Sequence, residues 1–328
     1  MPARRHIQTR VSANSTSTSA DESLRGPVRV LAASLNHILE RYWAANPTAS
    51  RVIDSLYSGP GGFGASQLFH DHLAFRTFGV AGMGIGSLGD LLESFGYSRR
   101  DDSKFPKKKL VATWYAPPPL APGGPPAYDL LPRIFVSQLE VGQLSPAAEA
   151  IIRRCTSGIG ALSPAAVLGA AMTGELPWGL PDEADYCALL EESEYAAWVL
   201  VNGYSLNHTA LSTHRITPPL AGGLDAFNAA LVARGFALNE EGGAVKASPD
   251  GLLLQSSTVA DVGEAAFRGG GKPRRVVRSY LEFVERKPLP QYSQLAPGEL
   301  QEAHRRDGFE AASADNIFAS TTLAARGV

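Results

Sequence analysis

The stretch FHDHLAFRTF, residues 69–78, decides how this chain is read. With a period of two it is a strand: Leu73 and Phe75 fall on one face, and His70, His72 and Arg76 on the other. Glycines crowd residues 79–86, and residues 88–95 then read as a helix closed by Gly96. Strands follow at residues 110–115 and 133–139, separated by the Pro/Gly loop PPPLAPGGPP. Within the glycine run, Gly84, Gly86 and Gly89 match G-x-G-x-x-G, a pattern that cradles dinucleotides. The context excludes that reading. The first strand of such a unit is apolar and buried on both faces, whereas this one carries His, Asp, His and Arg. The glycines are expected to make a tight turn close to the site.

Upstream, Val28, Leu31, Leu35, Ile38, Leu39 and Tyr42 have helical spacing over residues 27–43. A short second helix is expected over residues 49–56, before GPGG breaks the chain at residues 59–62. Downstream, Ser145-Pro146 opens a helix in N-cap and N1 order, and the Ala- and Leu-rich middle is helical to about residue 197. Residues 198–211, WVLVNGYSLNHTAL, are strand-like. An amphipathic helix is expected over residues 224–235, and strands over residues 251–257 and 276–284. With no internal sequence repeat and no long linker, residues 23–328 read as a single catalytic domain.

Of 328 residues, 44% are hydrophobic, which supplies ample core. A net charge of −2 with 19% charged residues gives no field for nucleic acid, and no apolar run is long enough to span a bilayer. Lys107-Lys108-Lys109 reads as a solvated loop rather than a phosphate patch. Cys155 and Cys187 belong to no C-x-x-C pair, so a zinc knuckle is out. Residues 1–22 are rich in Arg, Ser and Thr and hold no acid before Asp21, the composition of an organelle transit peptide or a disordered N-terminus. Plastid is the expected destination, with mitochondrion or cytoplasm as alternatives.

Three strand-like segments each present a side chain that can hold a metal: His72 in DHLAFR, His208 in LNHTAL and Glu282 in YLEFVER. Two imidazoles and a carboxylate suit Fe(II) and leave positions open for a chelating substrate and O2. Seven histidines occur in the chain, and spacing alone does not choose among them; His70 shares the predicted face with His72. Arg76, four after His72, lies on that face, and a guanidinium fork grips carboxylate bidentately. Gln255 faces the same cavity if its strand lines it. His214 reads as a neighbour of the site or as exposed, and Glu285 as pointing to solvent. No G-x-S-x-G supports a serine hydrolase.

DHLAFR, NHTAL, LLQSST, LEFVER and the tail SADNIF resemble the 2-oxoadipate dioxygenase/decarboxylase (hydroxyglutarate synthase) family, in its plant and algal plastid branch, over about residues 31–323. That family is related to the vicinal oxygen chelate superfamily. The resemblance implies an α+β fold, a curved mixed sheet around a metal site flanked by helices, and the order strand, helix, strand, strand fits one of its modules. It implies Fe(II) on His72, His208 and Glu282, choosing His72 over His70 through the pair Asp71-His72. It gives Arg76 the distal carboxylate of a small 2-oxo dicarboxylic acid, with Ala312 and Ser313 as further substrate contacts. The implied reaction converts 2-oxoadipate and O2 to 2-hydroxyglutarate and CO2 in lysine catabolism. The alternatives are another vicinal-oxygen-chelate metalloenzyme, or a non-enzymatic plastid regulator of starch metabolism.

Overall fold

The computed structural model describes residues 26–58, 63–218 and 221–310. Two helices come first, α1 (Pro27–Ala45) and α2 (Pro47–Tyr57), each with proline in its first turn. The predicted apolar stripe of α1 is buried at Leu31, Leu35, Ile38, Leu39 and Tyr42. Next come β1 (His70–Phe78), α3 (Gly84–Ser94), β2 (Ser98–Phe105), β3 (Leu110–Ala116) and β4 (Arg133–Leu139). Four helices then intervene: α4 (Pro146–Thr156), α5 (Pro164–Thr173), α6 (Glu183–Glu192) and α7 (Glu194–Asn202). Ser145 caps α4 as its sequence predicts, accepting from the Ala148 amide. The chain continues with β5 (Leu206–Ser212), α8 (Gly223–Val232), β6 (Lys246–Ala247), β7 (Leu253–Ser257), β8 (Val262–Ala265), β9 (Arg274–Val277) and β10 (Tyr280–Arg286).

Eight strands form one mixed sheet in the order β2-β3-β4-β1-β5-β10-β7-β6, and β8 and β9 pair separately. The order resolves into two equivalent halves. In the first, β1 pairs parallel with β4 and the sheet runs out through β3 and β2; in the second, β5 pairs parallel with β10 and runs out through β7 and β6. Each half has the chain order strand, helix, strand, strand, strand, and the halves meet where β1 and β5 run antiparallel. The sequence had shown only the first module. The second repeats its topology without repeating its residues.

The sheet separates two apolar cores. Leu73 and Phe75 of β1 join α1, α2, α3, α5 and α8 on one side, whereas Ala74 and Phe78 join α4, α6 and α7 on the other. We call the second side the inner face, because it carries the site. The glycines of α3 therefore lie on the outer face, and their job is close packing. A Cβ on Gly89 would sit 2.5 Å from the Tyr115 hydroxyl, and one on Gly84 (φ +85°) 2.3 Å from Gln138 Oε1.

Two boundaries differ from expectation, and one strand, β2, was not expected. Residues 198–202 finish α7 rather than starting a strand, since Tyr195–Asn202 is buried all round and periodicity is lost. The predicted strand over residues 276–284 is two strands, β9 and β10, which join different sheets. The edge strand β2, SRRDDSKF, shows no apolar alternation because it is mostly exposed.

Candidate metal centre

His72 on β1, His208 on β5 and Glu282 on β10 converge on the inner face. All three are buried, and each offers a donor atom within 4.8 Å of the other two. His72 Nε2 lies 3.1 Å from His208 Nε2. Glu282 places Oε1 3.7 Å from His72 Nε2 and Oε2 3.2 Å from His208 Nε2. The sheet register explains the meeting. His72 pairs with Ala210 and Ala74 with His208, so the histidines take equivalent places on either side of the β1–β5 junction. Glu282 pairs with Ala210, next to both.

The residues before the histidines fix their ring protons. His72 Nδ1 is 2.9 Å from Asp71 Oδ1, and His208 Nδ1 is 3.1 Å from Asn207 Oδ1. With Nδ1 donating, each Nε2 keeps a lone pair aimed at the centre. Burial, helped by the charges of His72 and Arg76, pushes the His208 pKa well down and keeps that ring neutral. Burial raises Glu282, opposed by His72 and by a 2.7 Å hydrogen bond from Gln255 Nε2 to Oε1. Two lone pairs and a carboxylate facing one another in a dry site repel, and a cation among them removes the conflict. Donors about 2.1 Å from one ion and at right angles stand about 3 Å apart, so the spacing suits a metal.

His70 turns away. A register shift between His70 and His72 sends its ring to the outer face, where Nδ1 bonds Thr209 Oγ1 at 2.7 Å and the ring lies against Trp43. The shared face expected from strict alternation fails at this bulge. Burial, with His72, lowers the His70 pKa to about 4.

Arg76 is buried on the inner face, its guanidinium 4.9 Å from the Tyr195 ring and 5.2 Å from that of Trp198. Its charge reaches His208. Gln255 enters the site through Glu282. Ala312 and Ser313 lie outside the described residues. Glu285 is not solvated as expected: its Oε2 accepts from the Leu224 amide at 2.7 Å, at the start of α8. His214 bridges the backbone of Arg286 and the carboxylate of Glu302.

The sequence did not single out the layer behind these groups. Asp71 accepts from Arg286 Nε at 2.6 Å and Nη2 at 2.9 Å. Burial would raise its pKa, but Arg286 and Arg133, together with the His72 hydrogen bond, hold it well below the carboxylate range. Arg133 bonds Asp307 at 2.7 Å and Glu302 at 3.1 Å, and Arg286 donates to the carbonyls of Arg306 and Gly308. These bonds hold residues 302–309 over the site and set the Phe309 ring 4.8 Å from His72 and 4.9 Å from Phe135. The available signal was local: an oxygen acceptor immediately precedes each site histidine, Asp71-His72 and Asn207-His208.

The family model described as 2-oxoadipate dioxygenase/decarboxylase matches residues 36–297. The chain belongs to the 2-oxoadipate dioxygenase/decarboxylase family. It is 43% identical over 320 residues to an Oryza sativa subsp. japonica protein named 2-oxoadipate dioxygenase/decarboxylase, chloroplastic/amyloplastic, covering 97% of this chain and 86% of that one. The crystal structure of the Oryza sativa hydroxyglutarate synthase in complex with 2-oxoadipate superposes with a TM-score of 0.82 at 41% identity, over 93% of this chain and 96% of that one. A putative glyoxalase superfamily protein from Ralstonia eutropha JMP134 shares the fold alone, with a TM-score of 0.68 at 19% identity over 94% of each chain. This family member thus has the curved mixed sheet of the vicinal oxygen chelate proteins. No helix among its described residues is long and apolar enough to cross a membrane.

Proposed function

We propose that this chain is a plastid Fe(II)-dependent dioxygenase/decarboxylase that converts 2-oxoadipate and O2 to 2-hydroxyglutarate and CO2, a step suited to lysine catabolism. One observation carries the reading. Two buried imidazoles and one buried carboxylate converge, and a buried guanidinium lies on the same sheet face. The family membership, and the name and bound 2-oxoadipate of the rice proteins, supply the substrate.

His72, His208 and Glu282 would hold the iron, whose chemistry when bound is to take the 2-oxo acid and O2 together. Asp71 and Asn207 keep each imidazole in the tautomer that presents Nε2. Gln255 fixes one oxygen of Glu282 and so limits its rotation. In this reading Arg76 is the catalytic and substrate-binding cation: it grips the distal carboxylate and sets which chain length brings the oxo acid to the three donors. The Phe309 ring, packed on His72 and Phe135, would keep water from the donors. The atoms balance: one oxygen of O2 ends in the new carboxylate, the other in the hydroxyl on the adjacent carbon, and the original carboxylate leaves as CO2. No second oxo acid is consumed.

The test is anaerobic loading with Fe(II), then an oxygen-electrode trace with 2-oxoadipate. The expected result is one O2 consumed and one CO2 released per 2-hydroxyglutarate formed. Fully iron-loaded protein that takes up no O2 with this substrate overturns the reading.

A further inference from the structure

Lys107, Lys108 and Lys109, read from sequence as a solvated loop, do not simply face water. They line one side of a pocket of about 300 Å³ whose other walls include Glu192, Glu194 and Tyr195, and Arg76 lies in that lining too. Four cationic side chains therefore face two carboxylates. Glu192 is already engaged by the amide and hydroxyl of Ser145, and its contact with Lys109 is long, at 3.5 Å. Tyr195 is fixed between β1 and β4, donating to the Ser137 carbonyl at 2.8 Å. Arg76, buried on the same sheet face as the three donors, thus also borders a basic pocket at the far end of β1.

Backbone strain points the same way. Lys109 has φ +57°, and no other non-glycine among the described residues has positive φ. The left-handed region is unfavourable for a lysine, and glycine would relieve it. Strained residues of this kind collect at working sites. Here the strain holds a lysine at the pocket wall.

We propose that this pocket is the entrance for the dianionic substrate, with Lys107, Lys108 and Lys109 drawing a dicarboxylate in and passing it to Arg76 at the inner end. The proposal rests on the functional reading above, because it needs a substrate with two carboxylates. The lining sets four cations against two carboxylates, a net positive charge, and a positive cleft speeds the association of an anion in a way that salt screens.

The experiment is stopped-flow association of 2-oxoadipate with the anaerobic Fe(II)-loaded protein, followed by tryptophan fluorescence, since Trp198 adjoins Arg76. The combined variant Lys107→Gln, Lys108→Gln and Lys109→Gly is expected to associate about tenfold more slowly at low salt. Its dissociation rate should be preserved, and the difference should close at high salt. The glycine relaxes the strained position, so the variant is expected to fold normally. A second arm places Lys109→Cys in a Cys155→Ser, Cys187→Ser background and attaches a bulky uncharged maleimide, which is expected to slow association further by blocking the mouth. Association unchanged by charge removal, or unchanged by the block, overturns the entrance. Wild-type protein that neither binds nor turns over 2-oxoadipate overturns the functional reading and this inference together, so the two failures are distinct.

Discussion

Asp71 and Asn207 are one residue from the histidines they orient, and that adjacency makes the centre sensitive to small changes. Asp71 also receives two bonds from Arg286, so its charge is compensated and its position fixed. Replacing the partner of a ligating histidine costs about 10- to 100-fold in metal affinity. Asp71→Asn is therefore expected to weaken metal retention by that factor, read by competition with a chromogenic chelator; wild-type retention would remove Asp71 from this role. Arg76 is tested by its substrate. Loss of a buried charged partner costs about 2 kcal/mol or more, about 30-fold, so Arg76→Ala is expected to raise the Michaelis constant for 2-oxoadipate at least that much. The same variant acting on a 2-oxo monocarboxylic acid should lose far less, and equal losses on both substrates would sink the clamp. At this scale the convergence of His72, His208 and Glu282 was foreshadowed by motif resemblance, whereas the turning away of His70 rests physically on a bulge that no periodicity reveals.

Among the elements, the segment over residues 302–309 is held by charge rather than by apolar burial. Burial opposes ionisation of Glu302, but the His214 hydrogen bond and the Arg133 charge overcome it and hold the carboxyl well below its ordinary value. Asp307 is lowered likewise by Arg133 and Arg286 against its burial. The sign follows from linkage. A carboxyl depressed in the folded state contributes stability above its unfolded pKa of about 4.3 for Glu, and that stability is lost as pH falls through the acid range. Thermal melts from pH 7 down to pH 3 should therefore show a steeper acid loss in wild type than in Glu302→Gln; parallel curves would show that this carboxylate carries no linked stability. Sequence could not single out this strap. It has one short 3-10 turn, and its partners Arg133 and His214 lie more than 80 positions away in the chain.

Over the whole molecule, the two halves of the sheet differ at one telling place. Phe135 pairs in register beside Ala74 just as Glu282 pairs beside Ala210. The first module thus offers an aromatic ring where the second offers a carboxylate, and the described residues bring together three candidate donors rather than four. Phe135→Glu is expected to hold added metal more tightly against a chelator while losing O2 uptake, and turnover at the wild-type rate would show that the missing donor is immaterial. Because the three donors come from three strands of both halves, an ion tied to all of them binds the folded state only. At 100 times its Kd such an ion adds about 2.7 kcal/mol, or about 4 °C in Tm for a chain this size. Calorimetry with and without chelator checks this; an unchanged Tm would mean that the ion does not bridge the halves.

The sequence by itself determined the local periods and the donor types. The α1 stripe, the β1 alternation beyond its bulge and the Ser145 cap can be read from neighbours a few positions apart, whereas residues 72, 208 and 282 were singled out by motif resemblance. The tertiary structure alone decided the second module, the outer-face position of His70, the union of Arg76 with the three lysines, and the strap over Phe309. Each of these depends on pairing between strands or charges far apart in the chain, and such pairing is fixed by sheet register and burial rather than by local pattern.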